Sequence, residues 1–227
     1  MELVFIRHGQ PRWAVDGVSQ IDPHLTELGR RQALLTAERL AAEERPVREI
    51  LVSPAIRSQE TAEPLAALTG IEPVTIPDLV EIHMPDWSGM LEATVQRIFT
   101  EGRDRSPEEW WNGIEGGESF RDFHERVTNA LLRILDERGI RPEPAHRHLW
   151  RFSGEPGRVV IVAHGGTNAV ALGFLLGADP TPWEWERFIL YHASIARLRA
   201  INLAGGHVFS LRTFNDREHL PKDLRTR

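Results

Sequence analysis

Leu3-Val4-Phe5-Ile6-Arg7-His8-Gly9 opens the chain with a short apolar run that ends on an arginine, a histidine and a glycine. Val159-Val160-Ile161-Val162-Ala163-His164-Gly165-Gly166 repeats the arrangement much later. Short, uniformly apolar runs rich in β-branched residues are strands buried on both faces, the mark of a parallel sheet in an α/β domain. In such open sheets the ligand crevice lies beyond the carboxyl ends of the strands. Both histidines stand at that end. Each is followed by glycine, which permits a turn and a close approach of backbone to ligand. Two such endings predict one site assembled from distant parts of the chain.

Working outward, residues 11–24 read as a loop, broken by Pro11, Gly17, Asp22 and Pro23. Thr26 is the expected N-cap of a helix reaching about residue 44, with Ala33, Ala37, Leu40 and Ala41 on its core face. Glu49-Ile50-Leu51-Val52 is a second strand, ending at Ser53-Pro54, where Ser suits an N-cap and Pro the first helical position. Arg57 then falls in the first turn, at the positive end of the helix dipole. A cation there is unfavourable unless an anion also binds. Val74-Thr75-Ile76 is a third strand, followed closely by Glu81.

Residues 91–139 have a helical pattern with breaks, and this insertion is expected to cap the strand ends. Its last helix, with Ser119 as N-cap, turns Phe123, Val127, Ala130, Leu131, Ile134 and Leu135 to the core. Residues 140–158, rich in proline, glycine, arginine and histidine, read as a surface loop. His146 and His148 in it lack a carboxylate partner and receive no chemistry. A helix over 167–176 and a hairpin around Gly205-Gly206 follow, and the polar tail from Asp216 is expected to be loosely held. The expected fold is a single α/β domain over residues 1–227. It is a three-layer sandwich with a mostly parallel central sheet, helices on both faces and a helical cap insertion.

The 227 residues allow a substantial core, and 41% hydrophobic with 26% charged residues is ordinary globular composition. A net charge of −6 argues against nucleic acid as a partner. No apolar run reaches membrane-spanning length and no signal peptide precedes the first strand, so a cytoplasmic location is expected. With no cysteine, thiolate zinc sites and cysteine nucleophiles are excluded. Lys222 is the only lysine, so the cations that matter are arginines.

Arg7, Arg57, His8, His164 and Glu81 converging on strand ends and a helix N-terminus would make an anion site. Guanidinium forks suit phosphate, and phosphoryl transfer needs positioning and charge stabilisation that such a cluster supplies without a metal or cofactor. A neutral imidazole is a nucleophile towards phosphorus, and a carboxylic acid can protonate the leaving oxygen. The parts of other routes are missing: no Gly-x-x-x-x-Gly-Lys loop, Asp-x-Asp pair or Gly-x-Ser-x-Gly elbow is present.

Arg7-His8-Gly9, Leu25-Thr26-Glu27-Leu28-Gly29, the stretch from Ser53-Pro54 through Arg57 to Ala62, and His164-Gly165-Gly166-Thr167 together resemble the histidine phosphatase superfamily. The resemblance is to its phosphoglycerate-mutase-like branch, whose acid follows the third strand. Leu79-Val80-Glu81 with Trp87-Ser88-Gly89, and Gly116-Gly117-Glu118-Ser119, extend it in the expected order. The resemblance implies a phosphohistidine on His8, phosphoryl oxygens held by Arg7, Arg57 and His164, and Glu81 as proton donor and later acceptor, with Asp86 a nearby competitor. The substrate would be a small phosphorylated metabolite. Trp13 is followed by Ala14 where members often carry asparagine, leaving Gln20 as the candidate substrate contact in the first loop. Hydrolysis is the leading expectation. A cofactor-dependent phosphoglycerate-type mutase and a catalytically silent phosphate-binding relative are the alternatives.

Overall fold

A computed structural model of the chain describes residues 1–146 and 148–227. β1 (Glu2–Arg7) carries Leu3 and Phe5 on one face and Val4 and Ile6 on the other, all buried. A two-stranded ribbon, β2 (Ala14–Val15) and β3 (Val18–Ser19), interrupts the first loop. α1 (Glu27–Ala41) starts where Thr26 Oγ1 accepts the amide proton of Gly29 at 3.0 Å. β4 (Val47–Val52) leads to α2 (Ile56–Thr69), and β5 (Val74–Thr75) follows. Then come α3 (Glu92–Glu101), α4 (Pro107–Asn112) and α5 (Phe120–Asp136). β6 (Ile140–Pro142), β7 (Trp150–Phe152) and β8 (Arg158–Ala163) precede α6 (Gly165–Leu176) and α7 (Glu184–Arg187). β9 (Ile195–Leu203) and β10 (Gly206–Asp216) close the sheet.

The eight-stranded sheet has the order β5-β4-β8-β1-β9-β10-β7-β6. It is a three-layer α/β sandwich: Leu3, Phe5, Val159 and Ile161 pack with α5 and α6, while Val4, Ile6, Val160 and Val162 pack with α1 and α2. The expectation of a mostly parallel sheet holds for one half only. β5, β4, β8 and β1 run parallel, whereas every pairing from β1·β9 to β7·β6 is antiparallel. Within the parallel half, β4, β8 and β1 read as apolar runs buried on both faces. The antiparallel half is built by the tight hairpin of β9 and β10.

Three local expectations give way to the structure. Residues 140–158, expected as a loop, contain β6 and β7, and Trp150 pairs with His207 of β10. These strands are too short and too rich in arginine and proline to show periodicity; a neighbouring strand edge makes them. Within 91–139 only α3 and α4 belong to the cap. α5, with Ser119 as its N-cap, buries Phe120, Phe123, Val127, Leu131 and Leu135 in the core, as its apolar stripe predicts. The tail after Asp216 is held rather than loose: Gln32 Nε2 donates to the carbonyl of Leu224 at 2.6 Å and to Thr226 Oγ1 at 2.9 Å. His146 lies in the turn before β7, and His148 has φ +75°. Among the described residues no cluster with metal-ligand character occurs, and no helix is long and apolar enough to cross a membrane.

Candidate active site

Strand register brings the two histidines together. In the β1–β8 pairing Arg7 stands opposite Ala163, so His8 and His164 each occupy the next position beyond adjacent strand ends. Their rings lie 5.3 Å apart between centroids, and both are buried. His8 Nδ1 is 2.8 Å from the carbonyl of Gly9. A carbonyl only accepts, so Nδ1 carries the proton and Nε2 keeps its lone pair. Burial pushes the His8 imidazole well below its ordinary pKa, and Arg57, His164, Arg7 and His192 push the same way. The ring is neutral at physiological pH.

Gly9 turns out to serve the scaffold more than the ligand. A Cβ on it would stand 2.5 Å from the carbonyl oxygen of Gly29 in α1, and one on Gly29 would stand 2.2 Å from that of Gln10. Only two glycines allow this backbone crossing, which presses the His8 segment onto α1. The Gly9 amide donates to Thr61 Oγ1 at 3.0 Å, and that hydroxyl donates to the carbonyl of Arg57, tying the segment to α2.

Arg57 lies in the first turn of α2, but Ser53 is not the N-cap; the helix begins two residues later, with Ala55 in that place. Ser53 Oγ instead lies 2.7 Å from His164 Nε2. Asp22 supplies an anion at the helix end, accepting from the Ile56 amide at 3.0 Å and from an Arg57 terminal nitrogen at 3.3 Å. Arg57 also lies over the Trp13 ring, 5.0 Å from its centroid. Arg7 donates to the carbonyl of Leu190 at 2.6 Å and pairs with His192 Nε2 at 3.2 Å. Burial and, for His192, the adjacent Arg7 cation lower its pKa to about 3, so it is a neutral acceptor. Three buried nitrogens around His8 have no protein partner: Arg7 Nε, Arg57 Nε and His164 Nδ1. Buried donors are normally satisfied. Their convergence beside a neutral imidazole suits an anion with several oxygens.

The carboxylate of Glu81 accepts from the backbone amides of Gly166 (2.9 Å) and Thr167 (3.1 Å), at the N-terminus of α6. A Cβ on Gly166 would stand 2.5 Å from Glu81 Oε1, so the close seating of this carboxylate on the α6 amides uses the bare backbone of glycine. Asp86, the competing acid, is exposed and accepts from the Ser88 amide at 3.0 Å, and it does not line the cavity that contains His8. Gln20 is on the rim of that cavity, its side-chain amide 3.3 Å from the carbonyl of Val18.

The structure therefore brings Arg7, His8, Arg57, Glu81 and His164 to one cavity or its wall. Sequence reasoning missed His192, Ser53 as a partner of His164, Asp22 and Thr61. His192 follows no apolar strand; Ser53 and Thr61 lie in the motif stretch around Arg57, but nothing in it assigns their contacts. The pairing of Asp22 with the misplaced cation of Arg57 had a direct signal, the demand for an anion at that helix end.

A family model described as histidine phosphatase superfamily (branch 1) matches residues 3–216. A metal-independent phosphoserine phosphatase of Arabidopsis thaliana is 33% identical over 199 residues, 78% of this chain and 74% of that protein. A glucosyl-3-phosphoglycerate phosphatase of Mycobacterium tuberculosis is 33% identical over 184 residues, 80% of this chain and 78% of that protein. The solved structure of a mycobacterial glucosyl-3-phosphoglycerate phosphatase with VO3 superposes with a TM-score of 0.71 at 29% identity, covering 94% of this chain and 98% of that one. With a match over nearly its full length, the chain belongs to the histidine phosphatase superfamily.

Proposed function

We propose that this protein is a metal-independent phosphatase that hydrolyses a small phosphorylated metabolite through a phosphohistidine on His8. The observation that carries the reading is the neutral, Nδ1-protonated His8 ring among three buried nitrogens that lack protein partners. The phosphatases named among its relatives support the reaction class.

In the first step His8 Nε2 attacks phosphorus and the P–O ester bond breaks. Arg7, Arg57 and His164 hold the equatorial oxygens, where charge stabilisation matters most. Glu81, acting as the general acid, gives a proton to the leaving oxygen and the alcohol departs. In the second step water attacks the phosphohistidine, Glu81 takes its proton, the P–N bond breaks and inorganic phosphate leaves. His192 and Ser53 act indirectly, the first holding Arg7 and the second holding His164.

Phosphate release from a panel of phosphomonoesters, in EDTA and beside His8→Ala, tests this. Release that survives EDTA and vanishes in the variant is expected. Release by His8→Ala at the parent rate would overturn it. Primed conversion of 3-phosphoglycerate to 2-phosphoglycerate without phosphate release would replace hydrolysis by the mutase reaction.

A further inference from the structure

The cavity that contains His8 extends far past the phosphate-sized space at its floor. Its volume is about 820 Å³, whereas a cavity of roughly 150 Å³ holds benzene. The part under the cap is walled chiefly by Met84, Trp87, Val95, Ile98, Phe99 and Ile189. α3 explains much of this wall. Val95, Ile98 and Phe99 recur at helical spacing, yet no residue of α3 is buried. Its apolar stripe faces the cavity, with Phe99 43% exposed and braced edge-on by Trp87 at 5.5 Å. Ile189, also lining the cavity, is 42% exposed. Large apolar side chains left open and converging on one space mark a binding surface.

Several charged side chains of the same wall are already paired, Glu118 with Arg126 at 2.7 Å among them, while Glu92 also lines it. Arg103 pairs with Glu186 at 3.3 Å, and Arg105 donates to the carbonyl of Gly113 at 3.3 Å. Arg227 sits at the rim beside Tyr191, 5.8 Å from its ring centroid. Such a wall is poorly matched to the ammonium and carboxylate groups of an amino-acid phosphate, which would lose hydration without gaining partners.

We propose that this cavity holds an apolar alcohol moiety, so that the preferred substrates are phosphomonoesters of hydrophobic alcohols, with Phe99 and Ile189 determining the preference. The inference rests on the phosphatase reading, with the phosphoryl group at His8 and the ester oxygen directed under the cap.

The test is kcat/KM for n-alkyl phosphates from ethyl to octyl, whose leaving oxygens have similar basicity, beside phosphoserine and p-nitrophenyl phosphate. Each methylene buried should raise kcat/KM about two- to fourfold, giving an octyl-to-ethyl ratio of roughly 10² to 10³ or more. Phe99→Ser, and separately Ile189→Ser, should reduce that ratio severalfold. Both positions are partly exposed, so the fold should tolerate the changes, and circular dichroism checks this. A ratio near one, a phosphoserine rate above that of octyl phosphate, or a ratio untouched by both variants overturns the proposal while leaving the phosphatase reading intact. Failure to release phosphate from any ester, p-nitrophenyl phosphate included, overturns both.

Discussion

Ser53 Oγ and His164 Nε2 are 2.7 Å apart, a buried hydrogen bond between the end of β4 and the end of β8. The adjacent parallel strands make it possible: Val52 pairs with Val162, which sets Ser53 level with Ala163, the residue before His164. The bond holds the ring whose Nδ1 has no protein partner. Ser53→Ala leaves Nε2 buried and unpaired, which should cost about 1–3 kcal/mol of stability. The same loosening should lower kcat/KM about tenfold. Urea unfolding and steady-state kinetics check the two effects, and an unchanged kcat/KM would remove Ser53 from the mechanism.

Glu81→Gln keeps the side chain's shape but removes its ability to deliver a proton. Turnover of alkyl phosphates should fall by about 10²-fold or more. p-Nitrophenyl phosphate, whose leaving group departs unprotonated, should lose far less in the first step. Gly166→Ala should reproduce this pattern in milder form, because its Cβ would intrude on Glu81 Oε1. Equal losses on both ester types in Glu81→Gln would move the acid elsewhere.

Gly9→Ala should destabilise the protein by about 1–3 kcal/mol, the usual range for overpacking. The added Cβ meets the backbone carbonyl of Gly29, not a flexible side chain. Thermal unfolding should show a clear fall in Tm, and an unchanged Tm would show that α1 can move away freely.

His8, His164, His192 and His219 make stability depend on pH. Burial lowers all four pKa values, with nearby arginines adding to the effect; His192 falls to about 3 and His219 to about 4. Below the ordinary pKa of about 6.5 the unfolded chain takes up protons that the folded chain does not. Stability therefore falls as pH drops from about 6.5 towards these folded values. Each histidine contributes up to about 1.4 kcal/mol per pH unit. Urea midpoints at pH 7.5, 6 and 5 should decline steadily, and His192→Gln should flatten the decline. A midpoint constant over that range contradicts the burial of these rings as neutral groups.

Much of the site was legible because parallel strands leave a strong signal. Runs buried on both faces stand out, and their final residues necessarily sit at one edge of the sheet. That reading put Arg7, His8 and His164 at strand ends and marked Arg57 as a cation placed against its helix dipole, while the resemblance to the histidine phosphatases is what joined them into one site. Glu81 was less determined, since Asp86 lay five residues away and spacing did not separate them. What does is geometry: the amides of Gly166 and Thr167 take the carboxylate of Glu81, while Asp86 turns to Ser88 in the solvent.

By itself, then, the sequence determined the buried parallel strands, the helices between them and the chemistry at the strand ends, because periodicity and capping are local properties of the chain. Tertiary structure decided the antiparallel half of the sheet, the strands β6 and β7, the docked tail, and the support given by Ser53, Thr61, Asp22 and His192. Each depends on a partner distant in sequence, as with His192 and Arg7, 185 positions apart. No local pattern encodes such a contact. It exists only once β1 and β9 have paired and brought the two side chains within reach.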